Sequence, residues 1–140
     1  MSNIPLTDLR IGNIVYTYDN QQDNIDQECI ITAINDNGTL GFRWPDEDYN
    51  CNAPLEDFEG VPISEEWLER FGFLYCDDPN FDKHANAKMF YSKGIQIGIR
   101  VDDLRCPSFY MGYPIRGIVY IHQLQNIFYF LTGTELTLKQ

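Results

Sequence analysis

Basic side chains are scarce in this chain. Its 140 residues hold 10 Lys and Arg against 21 Asp and Glu, a formal net charge of −11. Bulk, nonspecific nucleic-acid binding needs positive potential, so the charge argues against it. Histidine occurs twice, at His84 and His122, and cysteine four times, at Cys29, Cys51, Cys76 and Cys106. No C-x-x-C is present and no two cysteines are close, which argues against a zinc knuckle or a dithiol redox motif. The first residues carry no basic start, apolar run or small-residue cleavage site, so the expectation is a cytoplasmic protein with reduced thiols. Nothing approaches the roughly 18 consecutive apolar residues of a membrane-spanning helix. There is no P-loop and no G-x-G-x-x-G; Gly94-Ile-Gln-Ile-Gly98 reads as a strand. No cofactor and no metal are expected.

Apolar residues, by contrast, are plentiful. Hydrophobic content is 44% and aromatic content 14%, with nine Tyr and nine Phe. The length predicts a single domain over residues 1–140 that buries a core without staples. Three stretches are expected within it: a small β unit (1–44), an acidic linker with a short helix (45–72), and a sheet with a final helix (73–140).

The acidic charge is unevenly placed. Residues 1–43 hold six acidic and two basic side chains, a net of −4. Residues 44–82 hold twelve acidic side chains and only Arg70, a net of −11. Residues 83–140 hold three acidic and seven basic, a net of +4. The middle belt has three readings: a solvated face that maintains solubility, a surface for a basic protein partner, or a mimic of a nucleic-acid backbone.

Taken in order, Leu6 to Arg10 reads as a short lead-in of one helical turn, followed by strands over 14–18, 28–34 and 39–44. Asn35-Asp-Asn-Gly38 is a hairpin signal, because Asn-Gly tolerates the positive φ of a type I′ turn. These three strands predict a small antiparallel unit, a meander or SH3-like half-barrel. Residues 45–62 read as irregular. In Ser64-Glu-Glu-Trp-Leu-Glu-Arg-Phe-Gly72, Ser64 is an N-cap, the acids suit the positive first turn, and Trp67, Leu68 and Phe71 form the apolar face. Strands are expected over 73–75, 88–92 and 95–101, then within 104–110 and 115–119, with 134–138 as a last edge. The fold class is therefore α+β: the small β unit, the short middle helix, and an antiparallel C-terminal sheet capped by a C-terminal helix.

The clearest helix covers residues 119–133. At about 100° per residue, Leu124, Ile127, Phe128 and Leu131, with Ile121 beside them, form a stripe expected to face the core. His122, Gln125, Asn126 and Tyr129 fall opposite, and no charged residue occurs from 117 to 134. Uncharged hydrogen-bonding groups suit a covered surface: either they tie down the same chain, or they meet a ligand or partner. Phe109, Tyr110 and Tyr113 precede this helix and join it as candidate binding residues. With Arg105 and Arg116 they could stack a base, but such runs also pack sheet against helix.

Catalytic signatures are weak. Cys76, Asp77, Asp78, Asp82 and His84 match no metal-ligand spacing. Cys106 with His84 or His122 assembles a nucleophile only on paper. Asp102-Asp103 reads as a turn sooner than as a carboxylate pair.

The residues from His122 onward, His122-Gln-Leu-Gln-Asn126, Phe128-Tyr129, Leu131-Thr-Gly133 and Glu135-Leu136, resemble the C-terminal signature of a family of small uncharacterised proteins of gut bacteria, prophages and mobile elements. Leu9-Arg-Ile-Gly-Asn-Ile-Val15 and residues 61–73 resemble it too. The resemblance implies a cytosolic protein of phage or mobile-element origin and brings no activity with it. The expected function is non-enzymatic binding through protein–protein contacts, with homo-oligomerisation open. The alternatives are a small-ligand or enzymatic pocket around the last helix, lined by His122, Tyr129 and Arg100 or Arg116, and an acidic inhibitor mimicking nucleic acid.

Overall fold

The structure, a computed structural model, describes residues 4–18, 26–76, 87–92, 95–100, 108–110, 114–115 and 118–138. The fold is α+β. The chain forms two compact units, Met1–Val61 and Pro62–Gln140.

The first unit is a curled antiparallel sheet, a half-barrel. Its strands are β1 (Ile14–Tyr18), β2 (Asp26–Ile34), β3 (Thr39–Arg43), β4 (Cys51–Pro54) and β5 (Phe58–Glu59), in the order β4-β3-β2-β1-β5. Alternation makes the core. Val15 pairs with Cys29 and Ile31 with Phe42, and all four are buried. Leu40, Phe58, Ile4 and Leu9 complete the cluster. Phe42 meets Phe58 edge-on at 5.5 Å and Trp44 at 5.3 Å. Each such side chain contributes about 1.5–3 kcal/mol over an exposed one.

Two glycines shape this sheet. The β2–β3 register slips between Ile31 and Ala33, leaving Thr32 as an extra residue, and such a bulge increases local twist. Opposite it, a Cβ on Gly41 would stand 2.9 Å from the Ala33 Cβ, so only glycine fits. The hairpin turn differs from the expected two-residue type I′ form. Gly38 N–H donates to Asn35 O, Asn35 N–H donates to Thr39 O, and Gly38 has φ 85°. This is a three-residue loop with glycine last, the other common hairpin closure.

Residues 45–62, expected to be irregular, hold β4, a 3-10 turn (Leu55–Asp57) and β5. Asn52, Ala53 and Pro54 have little strand propensity, so nothing local marks β4. It forms because β3 offers a ladder and because half-buried Cys51 and Ala53 pack on the core while Asn52 and Pro54 face out.

The second unit begins with α1 (Glu65–Arg70). Ser64 Oγ accepts from Trp67 N–H at 3.3 Å. The helix closes as a Schellman motif: Gly72 N–H donates to Glu69 O and Phe73 N–H to Leu68 O. Trp67, Leu68 and Phe71 are buried, as the sequence predicts, and the Arg70 guanidinium lies 4.0 Å from the centre of the Trp67 ring. The sheet is a meander, β10-β9-β8-β7-β6 (Pro114–Ile115, Ser108–Tyr110, Ile95–Arg100, Ala87–Ser92, Leu74–Cys76). α2 (Ile121–Thr132) follows. Pro62 bridges Tyr120, and Ile63 N–H donates to Val119 O at 3.0 Å, so the lead-ins to the two helices are tied together. Phe73 meets Phe128 of α2 edge-on at 6.1 Å. The stretch 134–138, expected as an edge strand, is not one; Leu136 is nevertheless buried.

Candidate functional site

α2 is held at both ends by its own sequence. Gln123 Oε1 accepts from Val119 N–H at 2.8 Å and Tyr120 N–H at 3.0 Å, satisfying donors that the first turn leaves open. At the other end Gly133 adopts φ 71° and its N–H donates to Tyr129 O. Thr132 Oγ1 donates to Phe128 O at 2.8 Å.

The buried arc of α2 differs from the expected stripe. Ile121, Leu124 and Phe128 are buried, and so are His122 (1% exposed) and Gln125 (2%). Ile127 is only half-buried, and Leu131, expected in the core, is 38% exposed. The arc is rotated toward the His–Gln side. Residues 121, 124, 125 and 128 follow the same i, i+3, i+4, i+7 spacing as the expected set, and hydropathy alone cannot choose between two overlapping arcs. The His122 ring stacks on Tyr120, with centroids 5.7 Å apart and planes 12° from parallel. Its Nδ1 is buried and makes no hydrogen bond among the described residues.

The other candidate residues are placed as follows. Asn126 is half-buried and Tyr129 is 45% exposed. Phe109 and Tyr110 lie on β9, in register with Ile97 and Gln96 of β8. Tyr113 lies outside the described residues, as do Cys106, Asp102-Asp103 and the stretch from Asp77 to His84. Burial takes His122 and Gln125 off the exposed surface, where a partner would have met them.

What stands exposed instead is the last turn. Tyr129, Phe130 and Leu131 are consecutive and all open to solvent, Phe130 at 85%. The sequence did hold a signal for this. Phe128, Tyr129 and Phe130 are three aromatics in a row, and at about 100° per residue they sweep about 200° of the helix. One of them has to point away from the core. A second exposed apolar pair, Leu74 and Tyr91, sits opposite one another across β6 and β7, on the face away from buried Phe90.

Chemistry is sparse around these groups. Among the described residues, no three His, Cys, Asp or Glu side chains are gathered to hold a metal ion. Cys29 lies in the half-barrel core, and burial pushes its thiol up to about 12, away from thiolate reactivity. Cys51 is half-buried. Among the described residues, no helix is long and apolar enough to cross a membrane. Compared with known proteins, the chain matches no family model, no curated protein and no solved structure.

Proposed function

We propose that this chain is a non-enzymatic binding protein acting through protein–protein contacts, with the last turn of α2 as its contact surface. The carrying observation is the exposure of Tyr129, Phe130 and Leu131 on a helix that has no charged residue. Large aromatic side chains surrounded by uncharged groups are the kind of residue that dominates interface energetics, because burying them removes much apolar surface at little polar cost. The phage or mobile-element origin belongs to the same proposal and rests on the resemblance alone; a cytoplasmic location rests on the unpaired cysteine spacing.

The test is affinity capture from bacterial lysate with the wild-type chain and with Phe130→Glu. The expected result is loss of specific captured proteins from the variant while its melting temperature is unchanged. Identical captured sets would sink the reading.

One observation favours a second reading, an acidic inhibitor of a nucleic-acid-binding protein. The first unit, residues 1–61, holds twelve acidic and two basic side chains, a net of −10, while residues 62–140 hold nine and eight, a net of −1. Asp36, Asp46, Asp48 and Glu56 are exposed. This reading requires capture of basic proteins that weakens steeply with salt and does not respond to Phe130→Glu.

A further inference from the structure

We propose that Asn37, at the tip of the β2–β3 hairpin, is a site of spontaneous deamidation, converted by water to aspartate and isoaspartate in the folded chain. The inference is independent of the contact surface on α2 and stands on the hairpin loop alone.

An asparagine side chain is lost this way when the backbone nitrogen that follows it reaches the side-chain amide carbon. A Cβ on the following residue hinders that approach, and glycine has none. Asn37-Gly38 is the only Asn-Gly in the chain; every other asparagine is followed by a residue that carries a Cβ. Asn37 and Gly38 are exposed, and a Cβ built on Gly38 would meet nothing within 4 Å, so the space beside the pair is open to water.

Two asparagines of this hairpin are held in opposite ways. Asn35 Nδ2 donates to Thr39 Oγ1 at 3.0 Å and to Asn52 Oδ1 at 3.1 Å, so its nitrogen is tied down. Asn37 is held by its oxygen. Its Oδ1 accepts from Thr39 N–H at 3.1 Å and from the Thr39 hydroxyl at 2.6 Å. Because Thr39 Oγ1 accepts from Asn35, its own proton is directed at Asn37, and linked hydrogen bonds strengthen one another. Two donors on one carbonyl oxygen draw charge from Asn37 Cγ, and they sit where negative charge develops when that carbon is attacked. Asn37 Nδ2, the group that must leave, makes no hydrogen bond among the described residues.

The step balances with water alone. Gly38 N–H, whose bond to Asn35 O is long at 3.2 Å, gives its proton to water or hydroxide. The nitrogen then forms a bond to Asn37 Cγ, and the C=O pair moves onto Oδ1. That pair returns as the Cγ–Nδ2 bond breaks; Nδ2 takes up a proton and departs as ammonia, leaving a cyclic imide. Water adding at Cγ opens the imide to aspartate, and water adding at the Asn37 main-chain carbonyl opens it to isoaspartate. Either product adds a carboxylate, taking residues 1–61 from −10 to −11. Isoaspartate also adds a carbon to the main chain, lengthening the loop between the bonds that Asn35 makes across it.

The full chain is incubated in mildly alkaline buffer, folded and in guanidinium chloride, and its proteolytic peptides are followed by mass spectrometry. The peptide holding Asn37 should gain about 1 Da and split into two products, at least as fast in the folded chain as in the unfolded one. Thr39→Val should convert at least about threefold more slowly than wild type when folded and at the same rate when unfolded. Thr39→Ser, which keeps the hydroxyl, should match wild type. A folded chain that keeps Asn37 intact while the unfolded chain converts overturns the inference. Equal conversion of folded wild type and folded Thr39→Val overturns it as well. Should Thr39→Val not fold, the wild type decides by itself, and slower conversion in its folded state sinks the proposal.

Discussion

The two helices of the second unit are opposites. α1 has six residues, of which Glu65, Glu66, Glu69 and Arg70 are charged, and it buries Trp67 and Leu68. Its polar groups face water and its apolar groups face in. α2 has twelve residues and no charge. It buries an imidazole and an amide, His122 and Gln125, and leaves Phe130 and Leu131 outside. The difference teaches that the lack of charge on α2 does not come from its being enclosed. Its last turn is open to solvent. An uncharged, partly inverted helix costs solubility, because apolar surface stays wet, and costs stability, because buried polar groups must be satisfied. A surface of this composition gains when another surface covers it.

The contrast can be broken at several points, and the largest effects lie where the helices agree. Leu68→Ala in α1 and Phe128→Ala in α2 both remove buried anchors. Each should cost about 2–5 kcal/mol in urea unfolding. A loss well under 1 kcal/mol for Phe128→Ala, against the usual cost of such truncations, would mean α2 is not anchored as described.

The sharpest test of the inversion comes next. His122→Ala and Gln125→Ala should each lose about 1–3 kcal/mol, seen as a drop of several degrees in melting temperature, because each empties a place in which the side chain is almost fully enclosed. Unchanged melting for both would favour a partner, and not their own chain, as what covers them. Ser64→Ala should cost about 1 kcal/mol through the lost N-cap of α1. Phe130→Ser should change stability by no more than about 0.5 kcal/mol, since the side chain touches little in the folded chain. A large loss there would show that Phe130 is core and would remove the contact surface.

Much of the fold was legible because it is written in local signals. Ser64, the two glutamates and Gly72 delimit α1 by capping and dipole chemistry. Alternation marks β1, β2 and β3, and Asn35 to Gly38 marks their hairpin, though not its loop length. β4 was illegible because its residues have no strand preference and pair only where β3 supplies an edge. The candidate site was legible in part. The sequence singled out α2 and its uncharged character, but it assigned Leu131 to the core, and it set His122 and Gln125 opposite the core stripe with their own chain and a partner both open as the cover.

By itself, then, the sequence determined the α+β class, the bounds of both helices to within two residues, the strands of the first meander, and the concentration of negative charge. Those follow from periodicity, capping and composition, which act over a few residues. Only the tertiary structure decided which arc of α2 is buried. A helix with apolar residues on both sides offers two overlapping faces of similar hydropathy, and the choice falls to contacts made from a distance in sequence, such as Phe73 against Phe128 and the bridge from Pro62 to Tyr120. Those contacts turn His122 and Gln125 inward and leave Phe130 in solvent.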